Sequence, residues 1–475
     1  MSMCRGWAVV LLLWFAGAGW AEAYARALGA GEEDTSIVGE RAVASSEAPA
    51  GDAPPAPSPA ASIRPGTRWS FLTRMEATVL TLLPRQGAGE AEGFVQVEPM
   101  AVVDGGETFG LNLGAPVRLR AWGGGEGTGL VREEDWDSLS DWGQLVRLLS
   151  LGHDASPVAL WAGSLDCYTL LSGHLVRRYS NRSNPDYHPA GAVLTATAGP
   201  LFVESFVSDV LGARLMGVGV ELDVQHVLFG QPARRGRYTL GLSAVLDWGR
   251  AGGVTREVTL AHVDGTAMVL ARRGFELHLL AGGGGRPGRR GAWGAVAGVG
   301  ADAVSPTLDL LARLEVRRQH GGFRQGWFGP DSELARFQVA GTSGLPLADA
   351  SFPEGYSAFG ELVVGWDAEH LGDLVQRHLR LSLGVEAFTW GRVDADGRLA
   401  VQLFGRDVEA AVRGLAVGLR QPGARYLASG EVRWRFLGGR LYAMGQGGTL
   451  LYPTEEGTLR PGAFASVGLG VDNAR

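Results

Sequence analysis

Between Arg425 and Phe436 the chain alternates with a period of two. Tyr426, Ala428, Gly430, Val432, Trp434 and Phe436 form an apolar or small face, and Ser429, Glu431, Arg433 and Arg435 form the opposite one. Only an extended strand sorts such a pattern onto two faces. The rise from Tyr426 to Phe436, at roughly 3.3 Å per residue and a tilt of about 40°, leaves a height of about 25 Å, the apolar band of a membrane-spanning barrel. Tyr238, Leu240, Leu242, Ala244, Leu246 and Trp248 repeat the spacing against Thr239, Gly241, Ser243 and Asp247. Both strands carry rings at their two ends, where a half-wet membrane interface suits them. A soluble β-sandwich also alternates, but its strands usually run about 5 to 6 residues, half the length seen here.

At 475 residues the chain is long for one soluble core and ordinary for one large barrel, because each added strand extends the same wall. A mean hydropathy of +0.04 fits, since alternation hides the apolar half. The net charge of −7 argues against a nucleic-acid partner, which needs a basic surface. All 43 basic residues are arginine. Of the two cysteines, Cys4 lies in a segment expected to be removed, and the remaining Cys167 supports neither a disulfide framework nor a cysteine metal site.

Residues 1–23 read as a signal peptide: Arg5, an apolar run from Trp7 to Trp20, and Ala21-Glu22-Ala23 as the cleavage site. Residues 24–66 shift to Ala, Pro, Ser and acidic residues and read as a disordered periplasmic linker. Residues 67–475 carry the strands. Export without a transmembrane helix, combined with long alternating strands, points to a bacterial outer membrane. Asp104-Gly105-Gly106, Asp264-Gly265, Asp396-Gly397, Pro422-Gly423 and Gly438-Gly439 are read as turns. From Arg132 to Leu151 the period changes, with Trp136, Leu139, Trp142, Val146 and Leu149 recurring at three or four. This predicts one short amphipathic helix in a loop, around 133–150. The segment His320 to Tyr356 is expected to be the longest, irregular loop, on the extracellular side.

The stretch Gly163 to Asp186 packs Asp166, Tyr168, His174, Arg177, Arg178 and Arg182 where alternation becomes unclear. These six are the candidate constriction: the stretch either folds inward and narrows a pore, or forms a hairpin whose polar face looks into water. The assigned strands point Arg118, Arg120, Arg313, Arg317, Arg380, Arg433 and Arg435 inward, together with Glu221, Asp223, Asp247, Glu315, Glu361, Asp367, Glu386 and Glu431. Neither sign dominates, which predicts weak ion selectivity for an open lumen.

In architecture, residues 67–475 resemble bacterial outer-membrane β-barrels of the porin-like type. The resemblance implies a single antiparallel transmembrane β-barrel, all-β, of about 18 strands (16–20), bearing one short loop helix. It also implies passive diffusion of small hydrophilic solutes, with outer-membrane lipid, periplasmic chaperones and the barrel-assembly machinery as partners. That machinery reads a final strand ending in an aromatic residue. This chain ends Val471-Asp472-Asn473-Ala474-Arg475, with Asn473 where the alternation places that residue.

No nucleophile elbow, phosphate loop, dinucleotide fingerprint or paired metal-ligand spacing is present, so no cofactor, metal or catalytic residue is assigned. The stretch Gly282 to Gly288 reads as a turn, and His262-x-Asp264 as at most half of a hydrolytic site. The expected function is a porin-like channel and not an enzyme. The alternatives are a structural or adhesive barrel with a plugged lumen, and an outer-membrane hydrolase.

Overall fold

The computed structural model describes residues 69–472 apart from 85–90, 107, 125–127, 154–155, 231–237, 249–256, 289–290, 344, 368–377, 405–406, 438 and 455–456. The expected signal peptide and linker lie outside the described residues, as do Asn473 and the side chain of Asp367.

Each strand pairs antiparallel with its neighbour along the chain, except that the fourth pairs with the second and the fifth with the third. The first strands are β1 (Ser70–Pro84), β2 (Glu92–Asp104), β3 (Phe109–Gly114), β4 (Val117–Trp122), β5 (Val146–Leu151), β6 (Val158–Gly163) and β7 (Gly191–Ala198). Next come β8 (Leu201–Val207), β9 (Leu215–Asp223), β10 (Tyr238–Asp247), β11 (Val258–Arg272), β12 (Phe275–Gly285), β13 (Trp293–Val304) and β14 (Leu308–His320). The last are β15 (Gly355–Asp367), β16 (His378–Phe388), β17 (Val393–Leu403), β18 (Val408–Leu419), β19 (Arg425–Phe436), β20 (Leu441–Pro453) and β21 (Leu459–Asp472). The wall closes where β1 meets β21, with Met75 opposite Val471. β3 and β4 pair with successive parts of β2 and are parted by Ala115-Pro116, where proline removes a ladder donor. They share one place in the wall, so the described residues form a closed barrel of 20 staves.

Alternation sorts the two faces as expected. Met75, Val79, Leu240, Leu242, Val432, Trp434, Val467 and Leu469 stand exposed outward, where the bilayer replaces a protein core. The connections at one mouth are short, such as Gly199-Pro200 and Arg273-Gly274, while the other mouth carries residues 164–190 and 321–354. By the usual rule the longer loops are extracellular.

Several local expectations are corrected. Asp264-Gly265 lies inside β11, and that strand reverses at Arg273-Gly274 instead. Asp396-Gly397 likewise lies inside β17. In both, the aspartate is a lumen-facing anchor, a role that leaves the same dipeptide signature as a turn. Gly282 to Gly285 belong to β12. A Cβ on Gly282 would come 2.7 Å from the His262 ring, and one on Gly284 would come 2.6 Å from it, so these glycines make room for the imidazole. The expected helix at 133–150 is replaced by two 3-10 helices, Glu133–Asp135 and Leu139–Leu145, followed by strand β5. A 3-10 helix repeats every three residues and so produces the same apolar spacing. It is held by Ser138 N donating to Asp141 at 3.1 Å and by His188 N donating to the same carboxylate at 2.9 Å. The long loop is not irregular throughout, since it contains an α-helix at Ser332–Ser343.

Candidate channel constriction

The segment between β6 and β7 leaves the wall and enters the barrel. It doubles back on itself, with Tyr168 N donating to Tyr179 O at 2.9 Å and Tyr179 N to Tyr168 O at 2.7 Å. Cys167, Leu171 and Arg178 take positive φ to make the bends. The long loop between β14 and β15 lies beside it: Phe328 N donates to Leu175 O at 3.0 Å and Arg177 N to Phe328 O at 2.9 Å. Leu165, Leu170, Leu175 and Val176 from the first loop, and Phe323 and Phe328 from the second, pack with Phe206, Val245 and Leu260 of the wall. This gives the barrel an apolar core on its β8–β11 side. The long loop is also tied by Arg336 to Asp247, whose carboxylate accepts from Ala348 N at 2.8 Å.

The polar side of the inward loop faces the remaining wall. Arg178 reaches Asp396 of β17 at 2.8 Å and donates to Ser382 of β16 at 2.9 Å. Arg177 pairs with Glu361 of β15 and lies over the Phe359 ring at 3.9 Å. Asp166 meets Arg413 of β18 at 2.7 Å, and Tyr168 donates to Glu204 of β8 at 2.7 Å. Burial holds the Tyr168 hydroxyl well above its usual range and pushes the Cys167 thiol up to about 11. Of the six residues singled out in the sequence, Arg182 stands apart. It donates to Pro189 O at 3.1 Å, and burial lowers its guanidinium to about 9.

His174 enters a buried cluster with His262 and Asp264. Arg313 donates to His174 Nε2 at 2.8 Å, which leaves the proton on Nδ1, facing Asp264 at 3.3 Å. Asp264 also accepts from Ser172 at 2.7 Å and lies 3.1 Å from His262 Nδ1. The potential metal-ligand atoms of His174, His262 and Asp264 lie within 4.8 Å of one another. His174 and Asp264 are already partnered inside the cluster, His262 is partnered through Nδ1 while its buried Nε2 has no hydrogen-bond partner among the described residues, and the Arg313 guanidinium disfavours a cation there. The same arginine occupies the imidazole nitrogen that a serine nucleophile would need, so Ser172, His174 and Asp264 do not form a hydrolytic relay.

The residues expected to line a pore divide by role. Arg313, Glu315, Arg317 and Glu386 form a chain, with Arg317 donating to Glu315 at 2.7 Å and to Glu386 at 3.1 Å. Arg118 is held by Asp135 at 2.6 Å and Arg120 by Glu92 at 2.9 Å. Asp223 caps the short helix Val224–Phe229 at the short-turn mouth, accepting from His226 N at 2.9 Å. Glu221 and Arg380 lie on β9 and β16. Arg433 lies 3.6 Å from Glu76 and 3.9 Å from Glu409, and Arg435 3.8 Å from Asp472. Sequence reasoning missed Glu204 and Arg413, and read Asp264 and Asp396 as turn residues, with Asp264 also as half of a possible hydrolytic site, instead of as lumen anchors. Their parity on β8, β11, β17 and β18 was the available signal.

On β19 both faces are open. The Glu431 side chain is 59% exposed inward, and Val432, the next residue, is 48% exposed outward.

No protein-family model and no curated protein matches the chain. Among solved structures it is similar to OccK2 (OpdF) of Pseudomonas aeruginosa, at 12% identity over 86% of this chain and 99% of that one, with a TM-score of 0.32. A BenF-like porin from Pseudomonas fluorescens Pf-5 matches at 10% identity over 86% and 99%, with a TM-score of 0.34. Wzi of Escherichia coli, described as a carbohydrate-binding β-barrel of the outer membrane, matches at 11% identity over 84% of each chain, with a TM-score of 0.34. Identities this low leave the site's chemistry to be read from this chain's own residues. By its closed wall and outward apolar belt, the chain has the fold of a membrane-spanning antiparallel β-barrel.

Proposed function

We propose that the chain is a passive channel for small hydrophilic solutes, narrowed by the inward loop. The observation that carries this reading is the pair Glu431 and Val432: a strand whose charged inner face and apolar outer face are both uncovered separates water from lipid. Water then runs along β17–β19, past Glu409, Arg413, Glu431 and Arg433. Asp166 of the inward loop borders the path at Arg413, and Arg177 and Arg178 are buried behind it against β15 and β17. Opposite charges pair across it, which favours weak ion selectivity. Single-channel recording in a planar bilayer tests the proposal. A steady conductance with a reversal potential near zero under a salt gradient is expected. The absence of conductance would leave the plugged structural barrel as the reading.

A further inference from the structure

At the long-loop mouth a cavity of about 250 Å³ opens between residues 321–352 and the wall near Leu260 and Ala292. One side is aromatic. Phe323 and Trp327 are buried there, and Phe352 stands edge-on to Trp327, with ring centroids 5.7 Å apart and planes at 85°. The indole N–H of Trp327 has no hydrogen-bond partner among the described residues. The other side is polar, made by the paired Arg286 and Asp349 and by Ser351. Gly321 and Gly322, at φ 63° and 83°, bring backbone to the rim without side chains.

The cavity is smaller than the roughly 300 Å³ at which drug-sized pockets begin, so it has room for one ring with its substituents. The Arg286–Asp349 pair balances its charge, so an anion or a cation would have to displace a partner already in place. It still offers donors and an acceptor side by side. A ligand with an apolar face, a rim of hydroxyls and no net charge matches both sides. We propose that this cavity is a binding site for a neutral hexose, seated against Trp327 and Phe352, with hydroxyls at Arg286 and Asp349. The site is separate from the water path, so a silent channel would not remove it.

Isothermal titration of the full chain in detergent with methyl glucoside, methyl galactoside and methyl mannoside tests the proposal. A saturable heat with at least one of them is expected, along with none for inorganic phosphate. Trp327→Phe keeps a ring and removes the N–H, and Asp349→Asn unbalances the charge. Each should weaken hexoside binding about tenfold, the loss that goes with one charge-assisted or buried hydrogen bond. Heat-modifiable gel migration confirms that each variant is folded. Unchanged affinity in both folded variants would overturn the assignment. No saturable heat with any hexoside, or phosphate binding as tightly as hexoside, would do the same.

Discussion

The guanidinium of Arg178 sits 2.8 Å from the carboxylate of Asp396, fastening a loop that begins on β6 to the inner face of β17. Asp166 and Arg413 repeat the arrangement one strand further on, at 2.7 Å. Together they hold the loop against the β17–β18 wall and so set the width of the proposed water path that remains beside β19.

Arg178→Ala should therefore widen that path. Single-channel conductance should rise, and because both partners are largely buried, removing one should cost about 3 kcal/mol in a reversible unfolding assay. A conductance equal to that of the parent would place the narrowest point elsewhere.

The register of β19 predicts opposite responses at adjacent positions. Val432→Arg puts a charge into lipid and should cost on the order of 2 to 4 kcal/mol near the midplane. Arg433→Val removes long contacts to Glu76 and Glu409 and a cation–π contact at 5.0 Å to the Tyr442 ring, and should cost less. Bilayer folding titrations with equal midpoints for the two variants would contradict the assigned faces.

Much of this was legible in the alternation itself. β10 and β19 carry enough apolar outward residues to fix their faces without any partner. The turn chemistry was not legible in the same way. Asp264-Gly265 and Asp396-Gly397 look like hairpin tips because Asp-Gly is favoured there, yet each aspartate serves an inward residue, His174 in one case and Arg178 in the other. That demand comes from a loop distant in sequence. Only the folded chain reveals it.

Gly284 offers a test of the corrected β12. Its missing side chain leaves space beside His262 and the Ala261 carbonyl, so Gly284→Val should overpack the lumen and cost about 1 to 3 kcal/mol. A glycine in a free turn would tolerate the change, and unchanged unfolding midpoints would restore the turn reading.

Cys167 reports on the inward loop. Its thiol is buried and pushed up to about 11, so at pH 8 it should resist maleimide until denaturant is added. The folded chain holds this proton more tightly than an unfolded one, whose thiol titrates near 8.5. The resulting stabilisation is complete below about pH 8.5 and is lost as the pH rises through the folded value. Labelling of the native protein should therefore speed up more steeply between pH 9 and 11 than that of a model thiol; rapid labelling at pH 8 would place the loop outside the barrel.

β5 and β6 have six residues each, against fifteen in β1 and β11. A six-residue strand rises only about 20 Å before any tilt, less than the hydrocarbon thickness it faces. Beyond the ends of the short strands, Leu139, Trp142, Val210 and Leu211 continue the apolar surface without forming a ladder. The barrel thus presents two heights to its surroundings, and each ångström of mismatch costs a fraction of a kcal/mol. Lipids with short chains, or a locally thinned leaflet, fit better beside β5 and β6 than beside β11. A cylinder with one low side therefore imposes an asymmetry on the membrane around it.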